Sequence, residues 1–169
     1  MRSPGPDRGA PRGERPDAVI IRTATWEDAE ALIELLQAGA LGTTQEDPVD
    51  LAPYRTALSE IEGTPGSDVL VAERDGLVVG TCQLITFRHL QHRGGRCAEI
   101  ESMHVAPDLR GTGIGSLLLE AALEFARDAG CYRVQLTSNA ARSDAHRFYE
   151  RHGFVGSHVG FKRLLESPA

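Results

Sequence analysis

Residues 99–115 read Glu-Ile-Glu-Ser-Met-His-Val-Ala-Pro-Asp-Leu-Arg-Gly-Thr-Gly-Ile-Gly, and they hold the residue types and spacings best able to do chemistry. Glu99 and Glu101 lie two apart on an alternating stretch, so a strand presents both carboxylates on one side as candidate general bases. Arg110, Gly111, Thr112, Gly113, Ile114, Gly115 and Ser116 follow, and an apolar-striped helix begins among them. Backbone N–H groups converge where a helix starts, and its dipole adds positive potential. Glycines there let a diphosphate approach without a Cβ in the way, and Arg110 adds a permanent cation. The turn is expected to take a phosphate-bearing, nucleotide-like ligand.

Two familiar phosphate loops do not match. A Walker-type loop ends in Gly-Lys-Ser/Thr, and no lysine follows these glycines. A dinucleotide fingerprint needs Gly-x-Gly-x-x-Gly, whereas Gly111, Gly113 and Gly115 are one residue short of that spacing. A second chemical block lies downstream. It holds Leu136-Thr137-Ser138-Asn139 and then Asp144 to Phe154, with Phe148, Tyr149 and His152 on one helical face.

Elements must hold these groups in place. Residues 18–23 read as a strand. Thr25 can cap a helix with Asp28 in its first turn and Ala29, Leu32, Ile33 and Leu36 as its buried stripe. Residues 39–50 read as a loop, and Leu51, Tyr54, Leu58 and Ile61 mark a shorter helix ended by Gly63. Residues 68–74 and 77–87 form a hairpin about Asp75-Gly76. A polar loop at 91–95 leads to a strand at 97–105, stopped by Pro107. Ile114, Leu117, Leu118, Ala121, Ala122 and Phe125 stripe the next helix, closed by Gly130. A strand at 134–137, a helix capped by Ser143 and ended by Gly153, and one or two short strands within 154–165 complete the chain. The order β-α-α-β-β-β-α-β-α-β-β predicts an α/β fold: a mixed sheet with helices on its faces, one domain over residues 18–169.

Composition narrows the function classes. A net charge of −6 argues against non-specific nucleic-acid binding. No apolar run approaches bilayer length, and residues 1–17 lack the apolar region of a secretory signal and read as a disordered tail. Cys82, Cys97 and Cys131 are odd in number and unclustered, which predicts core thiols in a reducing cytoplasm and neither a disulfide framework nor a metal site. His89 and His92 lack companion ligands and read as part of a solvated basic hairpin with Arg88, Arg93 and Arg96. Asp47, Asp50, Glu60 and Glu62 read as solvated acidic surface, and His146 as helix surface. Exposed strand edges make a homodimer reasonable.

Taken together, the blocks resemble the GNAT superfamily of N-acetyltransferases. The match carries Arg-x-x-Gly-x-Gly at Arg110, Gly113 and Gly115, with Asn139 and Phe148-Tyr149, and covers roughly residues 20–165. The resemblance implies a splayed central strand pair opened by a bulge, with acetyl-CoA as co-substrate and no metal. It places the coenzyme pyrophosphate on Arg110, Gly111, Thr112, Gly113, Ile114, Gly115 and Ser116. Pantetheine runs beside Met103, His104 and Val105; Met103 and Val105 supply the pairing groups, and an N–H near Met103 faces the thioester oxygen. Asn139 hydrogen-bonds the pantetheine, and Tyr149 protonates the departing thiolate. Glu99 or Glu101 takes the proton of an amine on a small molecule or protein. A regular strand puts Glu99, Glu101, Met103 and Val105 on one face and His104 on the other. A bulge breaks that parity and leaves open which acid meets the substrate. The competing readings are a different acyl group, or a coenzyme-binding sensor without turnover.

Overall fold

The computed structural model describes residues 18–42 and 46–165. The expected tail at 1–17 lies outside them. Strands β1 (Val19–Thr23), β2 (Ser67–Arg74), β3 (Leu77–Arg88), β4 (Arg96–Val105) and β5 (Cys131–Leu136) form one sheet in that order. Neighbours from β1 to β4 are antiparallel, and β5 runs parallel to β4, so the sheet is mixed as expected. The β2–β3 hairpin turns on Asp75 and Gly76, both left-handed at φ 53° and 77°, the two-residue turn whose twist suits paired strands.

Helices α1 (Ala29–Gly39) and α2 (Ala52–Glu62) cover one face. A single turn, α3 (Gln91–Gly94), lies in the β3–β4 connection, where His92 and Arg93 adopt left-handed backbone. Helices α4 (Ile114–Asp128) and α5 (Ser143–Arg151) cover the other face. The α4 stripe Ile114, Leu118, Leu119 and Ala122 packs on Leu70, Ala72, Cys82, Leu84 and Ile100. Leu118 and Leu119 are wholly buried, each stabilising the fold by about 1.5–3 kcal/mol. On the opposite face Leu32 meets Ala24, Val69 and Val71, with Leu58 and Ile61 of α2 against them. Arg22 of β1 donates two bonds of 2.8 Å to Asp28 ahead of α1, which ties the first strand to the first helix and holds the Asp28 carboxyl below its ordinary range.

Two expectations about the second half are corrected. Residues 154–165 form no strand. Gly156 and Gly160 interrupt the alternation, the segment makes no ladder with β5, and Val155, Val159, Phe161, Leu164 and Leu165 are exposed. Ser143 is the first helical residue of α5, and Arg142 takes the cap position with no side-chain cap bond. Among the described residues no helix is long and apolar enough to cross a membrane.

Candidate active site

The register of β4 creates the site. Thr81 faces His104 and Gln83 faces Glu101, so Ser102 and Met103 together oppose Cys82. This is a β-bulge, and Ser102 carries it in left-handed backbone at φ 49°. Strain of about 1–3 kcal/mol at a non-glycine residue is characteristic of functional positions. On the other edge, pairing with β5 stops at Ile100 opposite Leu136. From Glu101 to Val105 the β5-facing edge of β4 is left without a strand partner, which is the splay the resemblance implied.

The bulge also settles the parity. Ile100, Met103 and Val105 all pack on the α4 face. Glu101 lies opposite Gln83, which faces the α1–α2 side. His104 falls on that same side, its ring against Gly39 of α1, where an added Cβ would lie 1.9 Å from Nδ1. His104 therefore shares a face with Glu101, contrary to the regular-strand expectation, because one extra residue flips everything beyond it.

The glutamates differ. Glu99 accepts a 3.0 Å bond from Gln135 of β5. Glu101 has no hydrogen-bond or ion-pair partner among the described residues. Across the sheet, Tyr149 is half-buried and its hydroxyl donates to Met103 Sδ at 3.6 Å. Burial raises its pKa, which keeps the phenol a proton donor; the charge of Glu101 adds to this and that of Arg142 opposes it. His104 is pushed the other way, toward its neutral form, by burial first and then by Arg142 and Arg110.

At the far end of β4 the glycine turn has the expected construction. Gly111 and Gly113 are left-handed, at φ 79° and 97°, and Gly113 is the cap residue of α4. Among the described residues the N–H groups of Gly113, Ile114 and Gly115 find no acceptor, so three donors converge on open space at a helix start. Gly115 serves differently: a Cβ there would touch the Phe148 ring at 3.5 Å, so this glycine also sits where α4 and α5 approach. Arg110 bonds Val105 O at 3.2 Å and Ala38 O at 3.4 Å. The hydroxyls are committed locally. Thr112 donates to Leu109 O at 2.7 Å, and Ser116 lies 3.0 Å from His152 Nε2, whose Nδ1–H bonds Phe148 O at 2.8 Å. Asn139 accepts the Ala141 N–H at 2.9 Å in a turn, leaving its amide N–H groups free among the described residues. His146 is half-buried and bonds Asn139 O at 3.0 Å, so it is not simple helix surface.

Sequence reasoning missed two features. A cavity of about 160 Å³ lies between α1, α2 and the sheet, lined by Leu32, Leu36, Tyr54, Leu58, Gln83 and Ser102 among others. Arg142 reaches from the start of α5 to Gly39 O at the end of α1. An arginine just ahead of a helix was the available signal for the second; the first is assembled from five separate elements and has no local signal. Cys82 and Cys97 are buried, with burial raising the Cys82 thiol to about 12. His89 stacks on Phe87, and the His92 ring lies tilted against Tyr132 with centroids 4.4 Å apart. Asp47 and Asp50 accept backbone N–H groups leading into α2.

Comparison with known proteins agrees with this architecture. The model of the acetyltransferase (GNAT) family matches residues 29–154. The chain is 35% identical over 145 residues to the aminoalkylphosphonate N-acetyltransferase of Salmonella typhimurium, covering 86% of this chain and 90% of that one. It is 30% identical over 157 residues to an aminoglycoside N(6')-acetyltransferase type 1 of Stenotrophomonas maltophilia, covering 90% and 97%. Among solved structures, one described as a transcriptional regulator from Bacillus halodurans C-125 superposes with a TM-score of 0.82 at 35% identity, covering 88% of this chain and all (100%) of that one. With its bulged fourth strand, open edge and glycine-capped helix, the chain belongs to the GNAT family and is an acyltransferase enzyme.

Proposed function

We propose that this enzyme moves the acetyl group of acetyl-CoA to a primary amine of a small molecule or protein by direct attack. The observation that carries the reading is the continuity of one strand edge. The stretch Glu101–Val105, open on its β5 side, has an acid without a described partner at one end and three unpaired N–H donors beyond the other. Those donors, with left-handed Gly111 and Gly113, fit a diphosphate, and the open edge fits an extended amide-bearing arm.

Acetyl-CoA, when bound, supplies an acetyl group already activated as a thioester. The chain's own groups do the rest. Glu101 takes the proton that an ammonium must lose before it has a lone pair. As the resemblance implies, a backbone N–H near Met103 offers a donor to the oxygen that gains charge during attack. Tyr149, held protonated and beside Met103, gives a proton to the leaving sulfur. Glu99 holds Gln135 and thereby the β4–β5 junction just before the splay, which is a positioning role. The cavity beside Gln83 and Ser102 receives part of the acceptor.

The test is an acceptor screen that follows release of the coenzyme thiol. Turnover of an amine, lost in Glu101→Gln with acetyl-CoA affinity intact, is the expected result. Tight acetyl-CoA binding with no thiol release across a broad amine panel overturns it in favour of a coenzyme-binding sensor.

A further inference from the structure

Two guanidinium groups meet the end of α1 on consecutive carbonyls. Arg110 reaches Ala38 O from the glycine turn, and Arg142 reaches Gly39 O from the start of α5. His104 packs against the same Gly39, so both cations stand beside the bulged edge of β4. Arg142 is half-buried, and neither arginine meets a carboxylate among the described residues. The positive charge of Arg142 is felt both at His104 and at Tyr149, which places it near the reacting groups. Arg142 caps the end of α1 through one donor, its partners are neutral, and most of its five donors remain unused.

An acceptor reaches Glu101 as an ammonium ion, and a fixed cation nearby repels it. A simple monoamine, and still more a diamine, meets that repulsion uncompensated. An acceptor that carries its own anion does not.

We propose that Arg142 binds the acidic group of a zwitterionic acceptor: an amine bearing a phosphonate, phosphate or carboxylate a few bonds from its nitrogen. The proposal rests on the acetyltransferase reading above and narrows its substrate class. The planar fork of Arg142 matches such an oxyanion bidentately, while the amine is left to Glu101.

Thiol release is measured with 2-aminoethylphosphonate and β-alanine against propylamine and 1,3-diaminopropane, in wild type, Arg142→Gln and Arg142→Lys. Binding of 2-aminoethylphosphonate and of acetyl-CoA is measured separately by calorimetry. Wild type is expected to favour the acid-bearing amines by about tenfold or more in kcat/KM. Arg142→Gln brings that ratio close to one and weakens 2-aminoethylphosphonate about tenfold, with acetyl-CoA affinity within about twofold; Arg142→Lys keeps part of the preference. The proposal is overturned if neutral amines match the zwitterions, or if the preference survives Arg142→Gln. It is also overturned if that variant loses acetyl-CoA instead, which would assign the guanidinium to a coenzyme phosphate. If no amine is turned over, the acetyl-transfer reading fails by itself. Binding of 2-aminoethylphosphonate that depends on Arg142 then still upholds the anion site, and its absence removes it.

Discussion

On the function proposed above, β4 has a coenzyme side and an acceptor side, and the two are built from different materials. On the first, the working groups belong to the backbone: the N–H donors of Gly113, Ile114 and Gly115, and the open edge beyond Ile100. On the second, they are side chains delivered by α1, α2, β3 and β4: Leu36, Tyr54, Gln83 and Glu101 around one cavity and face. A backbone site tolerates exchange of most side chains but demands glycine and a helix start at fixed positions. A side-chain site tolerates any local sequence that puts the right surface in place. The first should fail through conformation, the second through shape and charge, and substitutions can separate the two.

The largest effect is expected at Glu101, the carboxylate beside the splay that no described residue engages. Glu101→Gln should lower kcat by about 10²–10⁴-fold and leave acetyl-CoA binding unchanged, while Glu99→Gln costs far less; steady-state rates and calorimetry check both. Equal losses for the two glutamates would break the division drawn between them. Tyr149→Phe comes next, with kcat lowered by about 10²-fold and acetyl-CoA affinity kept. A matching loss of affinity would make Tyr149 a packing residue of the α4–α5 face. Filling the acceptor cavity with Leu36→Trp should raise the KM of the acceptor about tenfold and spare acetyl-CoA, because the cavity lies on the α1–α2 face. The smallest effect belongs to Gly115→Ala. A Cβ there would meet Phe148 at an ordinary 3.5 Å and Gly115 has helical backbone, so thermal melting should move little or upward, by about 0.5–1 kcal/mol at most.

The same contrast explains what the sequence disclosed. Elements on the coenzyme side follow local rules: a glycine at positive φ caps α4, and Pro107 ends β4. These signals are short-range and survive in one dimension. The bulge does not, since Ser102 differs in no visible way from a regular strand residue, and its left-handed backbone goes with the register shift opposite Cys82. That one residue decides the side on which His104 stands, and so an argument from regular parity reaches the wrong face. Residues 154–165 depart from expectation for the converse reason: their apolar residues suggest strands, but Gly156 and Gly160 break the alternation, a strand is defined by a partner, and β5 does not pair with them. The cavity was illegible because it depends on tertiary approach across the sheet; the arginine ahead of α5 was visible, but its reach to Gly39, 103 residues away, was not.

The central claim is that the left-handed turn before α4 is where acetyl-CoA is anchored. Calorimetric titration of acetyl-CoA into wild type and Gly113→Val tests it most directly. Valine cannot hold φ 97° without strain, yet a Cβ at this position meets no neighbouring atom within 4 Å, so the damage is confined to the conformation of the donors. The account predicts binding in wild type and a loss of about 100-fold or more in Gly113→Val with the fold retained by circular dichroism. Unchanged affinity in that variant would contradict it.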